Sequence, residues 1–154
     1  MLEIIEAQTE NHVALVGELF VEYWNWLGFE PCFEGFDAEL ANLAATYEPP
    51  GGCMLLALYD GEAAGAVAAK GLSKGYCEMR RLFARPDFRG KRVGFELVSR
   101  IIEEARKRGY SHMRLDTLPA MEKAISLYTY FGFKEIGRYR EDPIPGARYL
   151  ELEL

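Results

Sequence analysis

The sequence predicts a mixed α/β fold from three observations. Strand-like apolar segments alternate with helical ones in the order β-α-α-β-β-β-α-β-α-β-β. The Asp60-Gly61 pair between two apolar runs is typical of a two-residue hairpin, so the strands on either side of it are predicted to pair antiparallel. Residues 91–108 form the clearest helix of the chain, and their apolar stripe needs a sheet to pack against. A length of 154 residues suits one such domain, which is predicted over residues 1–154.

The elements of the first half follow from periodicity and from the residues that break it. Strands are predicted at residues 2–7, 53–59, 62–70 and 76–84, and helices at residues 10–27 and 37–47. Gly28 ends the first helix, and a Pro49-Pro50 pair follows the second. A loop is expected over residues 30–36, which contain Pro31.

The second half is predicted to contain two helices and three strands. The helices span residues 91–108 and 119–131, and the strands span residues 112–117, 133–139 and 148–154. Gly109 and Gly132 stand where helix C-caps belong, and Pro119 lies near the first turn of the second helix. Pro143 and Pro145 separate the last two strands, because proline cannot donate to a strand ladder.

Composition excludes several classes of protein. With 49% apolar and 27% charged residues the chain is typical of a globular protein, and its longest apolar runs fall short of the ~20 residues that a membrane span needs. Cys32, Cys53 and Cys77 form no Cys-x-x-Cys pair, which argues against a disulfide scaffold or a zinc site and predicts a reducing cytoplasm. No basic segment precedes an apolar stretch at the start of the chain, so a signal peptide is not expected.

Charge is distributed unevenly along the chain, whose net charge is −6. Residues 1–79 hold 13 acidic and two basic side chains, whereas residues 80–154 hold 16 basic and 11 acidic ones. A nucleic-acid-binding domain is usually basic throughout, so nucleic acid is not an expected partner. The basic segment fits a local anion site better, such as a site for phosphates.

Residues 82–94 predict a strand, a turn and a helix start that together would make such an anion site. Helix N-termini leave about four backbone N–H groups unpaired, and their dipole favours anions. The turn carries three basic side chains and two glycines: Arg89, Gly90, Lys91, Arg92 and Gly94. It lacks the Gly-Lys-Ser/Thr ending of a P-loop and the Gly-x-Gly-x-x-Gly of a dinucleotide-binding turn.

Taken with Ala-Ile-Ser-Leu-Tyr at residues 124–128 and Gly-Phe at residues 132–133, this segment resembles the GNAT superfamily of acetyl-CoA-dependent N-acetyltransferases. The likeness runs over residues 76–134. It implies a mixed, mostly antiparallel sheet of six to seven strands that splays between the fourth and fifth strands. It also implies acetyl-CoA as co-substrate, a small primary amine as acceptor, direct transfer between the two, and no metal.

The resemblance further implies which residues bind CoA. Amides of the turn would hold the pyrophosphate, and the edge of the preceding strand would pair with the pantetheine arm. The implied CoA-binding residues are Leu82, Phe83, Ala84, Arg89, Gly90, Lys91, Arg92, Val93, Gly94, Thr117 and Ala124. Arg92 stands where the family has a glycine, and Met121 stands where many members have asparagine. An arginine still supplies its N–H, provided that the backbone there does not need a positive φ.

Acetyl transfer to an amine needs a base for the amine, donors for the oxyanion and an acid for the departing thiolate. The family match implies that Tyr128 is the acid; the alternative is core packing against Ile125 and Met121. The match implies that Glu78, on the strand before the turn, is the base; the alternative is an edge carboxylate paired with Arg80.

Acidic and aromatic residues of the first half are candidates for the acceptor site. Glu39 and Asp37 would bind a cationic substrate, although a solvated helix face is the favoured interpretation of both. Trp26 is a candidate for the floor of the acceptor pocket, whereas Trp24, on the apolar stripe, is expected in the core. The acidity of residues 1–79 predicts that the acceptor is cationic.

Two other functions stay open at this point. One is a non-catalytic acyl-CoA-binding module, which need not keep Tyr128. The other is a nucleic-acid- or protein-binding domain that uses the basic helix face, which Glu96, Glu103 and Glu104 interrupt. The sequence does not specify the acceptor among amino acids, polyamines, antibiotics, peptides and protein amines. A homodimer is common in the family.

Overall fold

Seven strands and five helices occur in residues 1–28, 35–140 and 146–154, which are the residues that this computed structural model describes. The strands are β1 (Leu2–Glu6), β2 (Cys53–Tyr59), β3 (Glu62–Gly71), β4 (Tyr76–Ala84), β5 (His112–Thr117), β6 (Lys134–Ile136) and β7 (Arg148–Glu153). The helices are α1 (Glu10–Leu27), α2 (Phe36–Ala41), α3 (Leu43–Thr46), α4 (Val93–Lys107) and α5 (Glu122–Tyr130). The predicted mixed α/β fold class is confirmed.

The strands form one sheet in the order β1-β2-β3-β4-β5-β7-β6. Every neighbouring pair is antiparallel except β4 and β5, which run parallel. These two strands pair only between Tyr76 and Glu78 of β4 and between His112 and Arg114 of β5. Beyond these residues the two strands pair no further, so the splay expected between the fourth and fifth strands is present.

Apolar side chains fill a core on each face of the sheet. Leu55 of β2 packs in one core with Leu97 of α4, and its neighbour Leu56 packs in the other core with Phe20 of α1. Successive strand residues point to opposite faces, so a central strand covered on both sides must be apolar throughout. This explains the continuous apolar run of β2. Each large side chain so buried contributes about 1.5–3 kcal/mol.

The second predicted helix is wrong in one respect, because residues 37–47 form two short helices rather than one. The break lies at Asn42, whose backbone leaves the helical region at φ −128° and ψ 40°. The Asn42 side chain donates from Nδ2 to the carbonyl oxygen of Ala38 at 3.2 Å. Asparagine side chains compete with helical backbone bonding in this way, which the apolar pattern alone does not reveal.

Three other boundaries are shorter than predicted. α4 begins at Val93 rather than at residue 91, and α5 begins at Glu122 rather than at residue 119. β6 covers only Lys134–Ile136, because it pairs with β7 alone and Gly137 follows it. Of the loop predicted at residues 30–36, residues 30–34 lie outside the described residues, and Phe36 already belongs to α2. Pro143, Pro145 and Cys32 also lie outside the described residues. Among the described residues, no helix is long and apolar enough to cross a membrane.

Candidate active site

A β-bulge bends β4 where it separates from β5. Ala68 of β3 lies opposite Arg80 of β4. Two residues along β3, Ala66 lies opposite Phe83, so β4 contains one extra residue between these pairs. Arg81, in the bulge, has a left-handed backbone with φ 61°. A non-glycine residue with this backbone conformation is strained, and such residues concentrate at functional sites.

A cavity of about 560 Å³ lies where the end of β4, the turn after it, α4 and α5 meet. Its lining includes the β4 residues Leu82, Phe83 and Ala84, the turn residues Arg89 and Gly90, and Gly94 and Ala124 from the two helices. This volume is within the range of cofactor-sized sites. Seven of the eleven residues implied to bind CoA therefore line one cavity, called the large cavity below.

The N-terminus of α4 is open towards an anion. Within the described chain no side chain caps α4, so its first N–H groups depend on another partner. Arg89 is exposed beside the large cavity, and Gly90 has a φ of 79°, a conformation that glycine adopts without strain. Together these residues place N–H groups and a positive charge at one end of the cavity.

An arginine can replace glycine at position 92 without strain only if the backbone there has no positive φ, and this condition is not met. The backbone of Arg92 is left-handed, with φ 62° and ψ 23°, which is the conformation that favours glycine. Its guanidinium lies 4.2 Å from the ring centroid of Phe95, and its Nη2 lies 3.6 Å from Oε1 of Glu96. The side chain is thus held along the surface of α4, outside the lining of the large cavity.

Three further implied CoA contacts also lie outside that lining. Val93 is buried in the core under α4, and Nζ of Lys91 lies 5.5 Å from the ring centroid of Tyr59. Thr117 is buried, and its hydroxyl donates to the sulfur of Met121 at 3.7 Å. For Lys91, Arg92 and Val93, only the backbone remains available to a ligand of the large cavity.

A second cavity of about 40 Å³, called the small cavity below, adjoins the large one. Tyr23, Leu82 and Met121 line both cavities. The other residues of the small cavity come from β4, β5, α5 and the segment after β6, and they are mostly polar: Met79, Arg80, Arg81, Leu115, Asp116, Thr117, Tyr128 and Arg140. The small polar cavity thus lies between the splayed parts of β4 and β5, next to the large cavity.

Tyr128 lies where the core meets the small cavity. Its side chain is buried in the core, with its ring centroid 5.7 Å from that of Phe133, and it also lines the small cavity. Burial raises the pKa of Tyr128 above its usual value of 10.0, and the nearby Tyr23 and Asp116 raise it further. The phenol therefore carries its proton throughout the neutral range.

Glu78 is buried and held by basic and phenolic groups. Its Oε2 accepts a hydrogen bond from the hydroxyl of Tyr139 at 2.5 Å and lies 3.4 Å from Nε of Arg140. Its Oε1 lies 3.7 Å from Nε of Arg80, which is the pairing that the sequence offered as the alternative to catalysis. Glu78 lines neither the large nor the small cavity.

Glu39 is buried, so the favoured interpretation of a solvated helix face is wrong for it. Its Oε1 accepts from Nη2 of Arg80 at 3.0 Å and from Nη2 of Arg81 at 2.9 Å, and its Oε2 accepts from the hydroxyl of Tyr47 at 2.8 Å. Burial alone would raise the pKa of Glu39, but the hydrogen bond and charge of Arg81 outweigh it and hold the pKa below its usual range. Asp37 is exposed.

The two tryptophans separate as expected. Trp24 is fully buried, with its ring centroid 5.1 Å from that of Phe36. Trp26 is 55% exposed and lines the large cavity. Trp26 therefore contacts the cavity from the side of α1, whereas Trp24 belongs to the core.

Sequence reasoning missed Asp116 and Arg140, which form an ion pair in the lining of the small cavity. Nη2 of Arg140 lies 2.9 Å from Oδ2 of Asp116. Asp116 is on the predicted strand at residues 112–117, but nothing in the local pattern indicates that Arg140, 24 positions later, reaches it. Among the described residues, no group of three or more metal-ligating side chains occurs.

Comparison with known proteins defines the class to which this fold and site belong. The chain is an acyl-CoA-dependent N-acetyltransferase. The model of the Acetyltransferase (GNAT) family matches residues 15–133, so the chain belongs to that family, as its resemblance predicted.

Three relatives illustrate the range of the likeness. An uncharacterised N-acetyltransferase of Schizosaccharomyces pombe is 44% identical over 138 residues, covering 88% of this chain and 85% of that protein. The N-acetylaspartate synthetase of Danio rerio is 32% identical over 117 residues, which cover 75% of this chain but only 42% of that protein. The crystal structure of a PaiA N-acetyltransferase from Thermoplasma acidophilum, in complex with coenzyme A, has a TM-score of 0.74 at 19% identity and covers 100% of this chain and 99% of that one.

Proposed function

We propose that the protein transfers the acetyl group of acetyl-CoA directly to a primary amine, with residues 1–154 acting as a single N-acetyltransferase domain. The observation that carries the proposal is that two cavities with shared lining residues lie between the uncapped start of α4 and the side chain of Tyr128. Coenzyme A in the structure of the Thermoplasma acidophilum relative supports acetyl-CoA as donor. The name of the Danio rerio relative supports an amine as acceptor.

In this proposal the large cavity takes the CoA chain. Backbone N–H groups from Gly90 to Gly94 and the guanidinium of Arg89 bind the pyrophosphate, because an uncapped helix start and an exposed cation both attract anions. The backbone of Leu82 and Ala84, on the part of β4 that pairs with β3 but not with β5, accepts the pantetheine arm as an added strand. Ala124 contributes a small side chain to the opposite wall.

The transfer step then occurs where the two cavities meet. The amine nitrogen attacks the thioester carbon, a C–N bond forms, and an N–H at the β4 bulge stabilises the charge that develops on the oxygen. The C–S bond then breaks, and Tyr128 gives its proton to the CoA thiolate. The raised pKa keeps the phenol protonated at neutral pH but also makes it a weaker acid, so the proton moves only as negative charge develops on the sulfur.

The proton of the amine goes to a carboxylate. Both Asp116 and Glu78 pair with Arg140, but Asp116 lines the small cavity beside Tyr128, whereas Glu78 does not line it and also accepts a hydrogen bond from Tyr139. We therefore place Asp116 as the direct acceptor and Glu78 as the residue that positions Arg140. If Glu78 is instead the base, acting through water, then replacing it by glutamine lowers kcat/KM at least as much as Asp116→Asn does.

Direct transfer is also favoured by the state of the cysteines. Burial raises the pKa of Cys53 to about 11 and the pKa of Cys77 to about 12. At neutral pH these two side chains are therefore thiols, and the thiolate is the form that attacks a thioester. An acyl-cysteine intermediate at either residue is disfavoured.

Isothermal titration and a thiol-release assay test the proposal together. The wild type should bind acetyl-CoA and should release free CoA only when a primary amine is added. Arg89→Ala should weaken acetyl-CoA binding roughly 10- to 150-fold, the value of a charge-assisted contact, and should make binding less sensitive to salt. Arg106→Ala is the matched control, because this exposed arginine lies in the last turn of α4 and pairs with Glu103. Absence of acetyl-CoA binding by the wild type would refute the proposal.

A further inference from the structure

We propose that the amine acceptor carries a carboxylate, which the guanidinium groups of Arg80 and Arg140 bind in the small cavity. The inference rests on the proposed function, since it names the chemical class of the acceptor for the same site. It replaces the expectation of a cationic acceptor, which was based on the net charge of residues 1–79 rather than on the groups that face the cavity.

The charges that line the small cavity are mostly positive. Three guanidinium groups, from Arg80, Arg81 and Arg140, share the lining with one carboxylate, that of Asp116. The other carboxylates of this network, Glu39 and Glu78, are outside the lining. Of the described carboxylates that pair with these arginines, Asp116 is in the lining with Arg140, whereas Glu39 and Glu78 are not, so guanidinium groups outnumber carboxylates at the surface of the cavity.

The arginines of β4 are held rigidly in this arrangement. One carboxylate, that of Glu39, accepts hydrogen bonds from both Arg80 and Arg81. The guanidinium of Arg81 also lies 5.1 Å from the ring centroid of Trp24. The side chains of Arg80 and Arg81 are only 11% and 7% exposed. Glu39 thus fixes the positions of both guanidinium groups, and a rigid site loses little entropy when it binds.

The size and position of the cavity fit a carboxylate with an amine beside it. Its volume of about 40 Å³ is far smaller than that of the large cavity, so it suits a small polar group. Asp116 and Tyr128 line the same cavity. A carboxylate on the arginines would therefore hold an adjacent amine between the proton acceptor and the large cavity, where the thioester carbon is expected.

The test measures binding to the enzyme saturated with CoA, which carries no acetyl group and so permits no turnover. Isothermal titration compares two pairs of ligands that differ only in charge at one group: L-alanine with L-alaninamide, and L-aspartate with L-asparagine. In at least one pair the carboxylate should bind roughly 10- to 150-fold more tightly than the amide. Equal binding in both pairs would overturn the proposal.

Variants then show whether the arginines cause the preference. Arg80→Gln and Arg140→Gln each keep a polar side chain without the charge, and each should reduce the preference severalfold while CoA affinity stays unchanged. Arg114→Gln is the control, because Arg114 pairs with Glu151 at 2.8 Å and does not line the cavity. A preference that survives in both test variants would also overturn the proposal.

Failure of the proposed function would be seen separately. If no amine causes release of CoA from acetyl-CoA, acetyl transfer is refuted, but the titrations with CoA still decide whether the small cavity binds carboxylates. If amines are acetylated and the titrations show no preference, acetyl transfer stands and the carboxylate proposal fails.

Discussion

Tyr128 shows how one residue can belong to the core and also line a cavity. Its ring packs beside Phe133 in the core, and its side chain also reaches the small cavity. The apolar surroundings that fix the ring are the same surroundings that raise the pKa of the phenol, because they disfavour phenolate. The two interpretations of Tyr128 in the sequence were thus not exclusive.

Tyr128→Phe should lower kcat about ten- to a thousandfold, because it removes the proton donor while it keeps the ring. The KM for acetyl-CoA should barely change. In the wild type, kcat should not fall between pH 7 and pH 10 through ionisation of this phenol, because burial raises its pKa above 10.0.

Tyr130→Phe provides the control for this measurement. Tyr130 lies on the same helix but is 72% exposed and lines neither cavity. Its hydroxyl should therefore be dispensable, and steady-state kinetics of the two variants separate the effects. Equal kcat for wild type and Tyr128→Phe with a good acceptor would restrict Tyr128 to the core.

At the scale of the element, the start of α4 departs most from the family pattern. Arg92 adopts the left-handed conformation that glycine adopts without strain, and its guanidinium stacks on Phe95. A left-handed conformation costs a side-chain-bearing residue roughly 1–2 kcal/mol. The backbone strain at Arg92 therefore destabilises the first turn of α4, whereas the stacking contact between Arg92 and Phe95 stabilises it.

A matched pair of variants separates these effects. Arg92→Gly and Arg92→Ala both lose the guanidinium, but only glycine relieves the strain, so Arg92→Gly should be more stable than Arg92→Ala by about 1 kcal/mol. Urea denaturation of the two variants gives this difference. The variants should bind acetyl-CoA alike, because both keep the N–H. If Arg92→Ala were the more stable of the two, the left-handed backbone would not be strained.

The elements that the sequence predicted well are those with strong local signals. The hairpin at Asp60-Gly61 and the body of α4 follow from turn chemistry and apolar periodicity, and both are present. The bulge at Arg81 could not be predicted, because it depends on the register between β3 and β4. The ion pair between Arg140 and Asp116 could not be predicted either, because it depends on how the chain after β6 folds back towards β5.

At the scale of the whole molecule, part of the charge difference between the two halves of the chain is neutralised by ion pairs. Ion pairs join the acidic half to the basic half: Glu6 with Arg108, Glu22 with Arg85, and Glu39 with Arg80 and Arg81. Net charge per half therefore indicates which segments meet and not which substrate binds. A carboxylate is informative about ligands only once its partners are known.

Acid should destabilise the protein through carboxylates held in this way, and Glu104 of α4 gives a clean test. Burial alone would raise the pKa of Glu104, but hydrogen bonds from Arg108 and Arg100 outweigh it and lower the pKa below 4.5. A lowered pKa in the folded state contributes stability above pH 4.5, and that contribution is lost as the pH falls through the folded value. Glu104→Gln should cost about 1.5–3 kcal/mol at pH 7, measured by urea denaturation, and progressively less towards pH 3. The exposed Glu3→Gln control should cost little at any pH. A cost for Glu104→Gln that is undiminished at pH 3 would show that packing, not the carboxylate charge, stabilises this part of the fold.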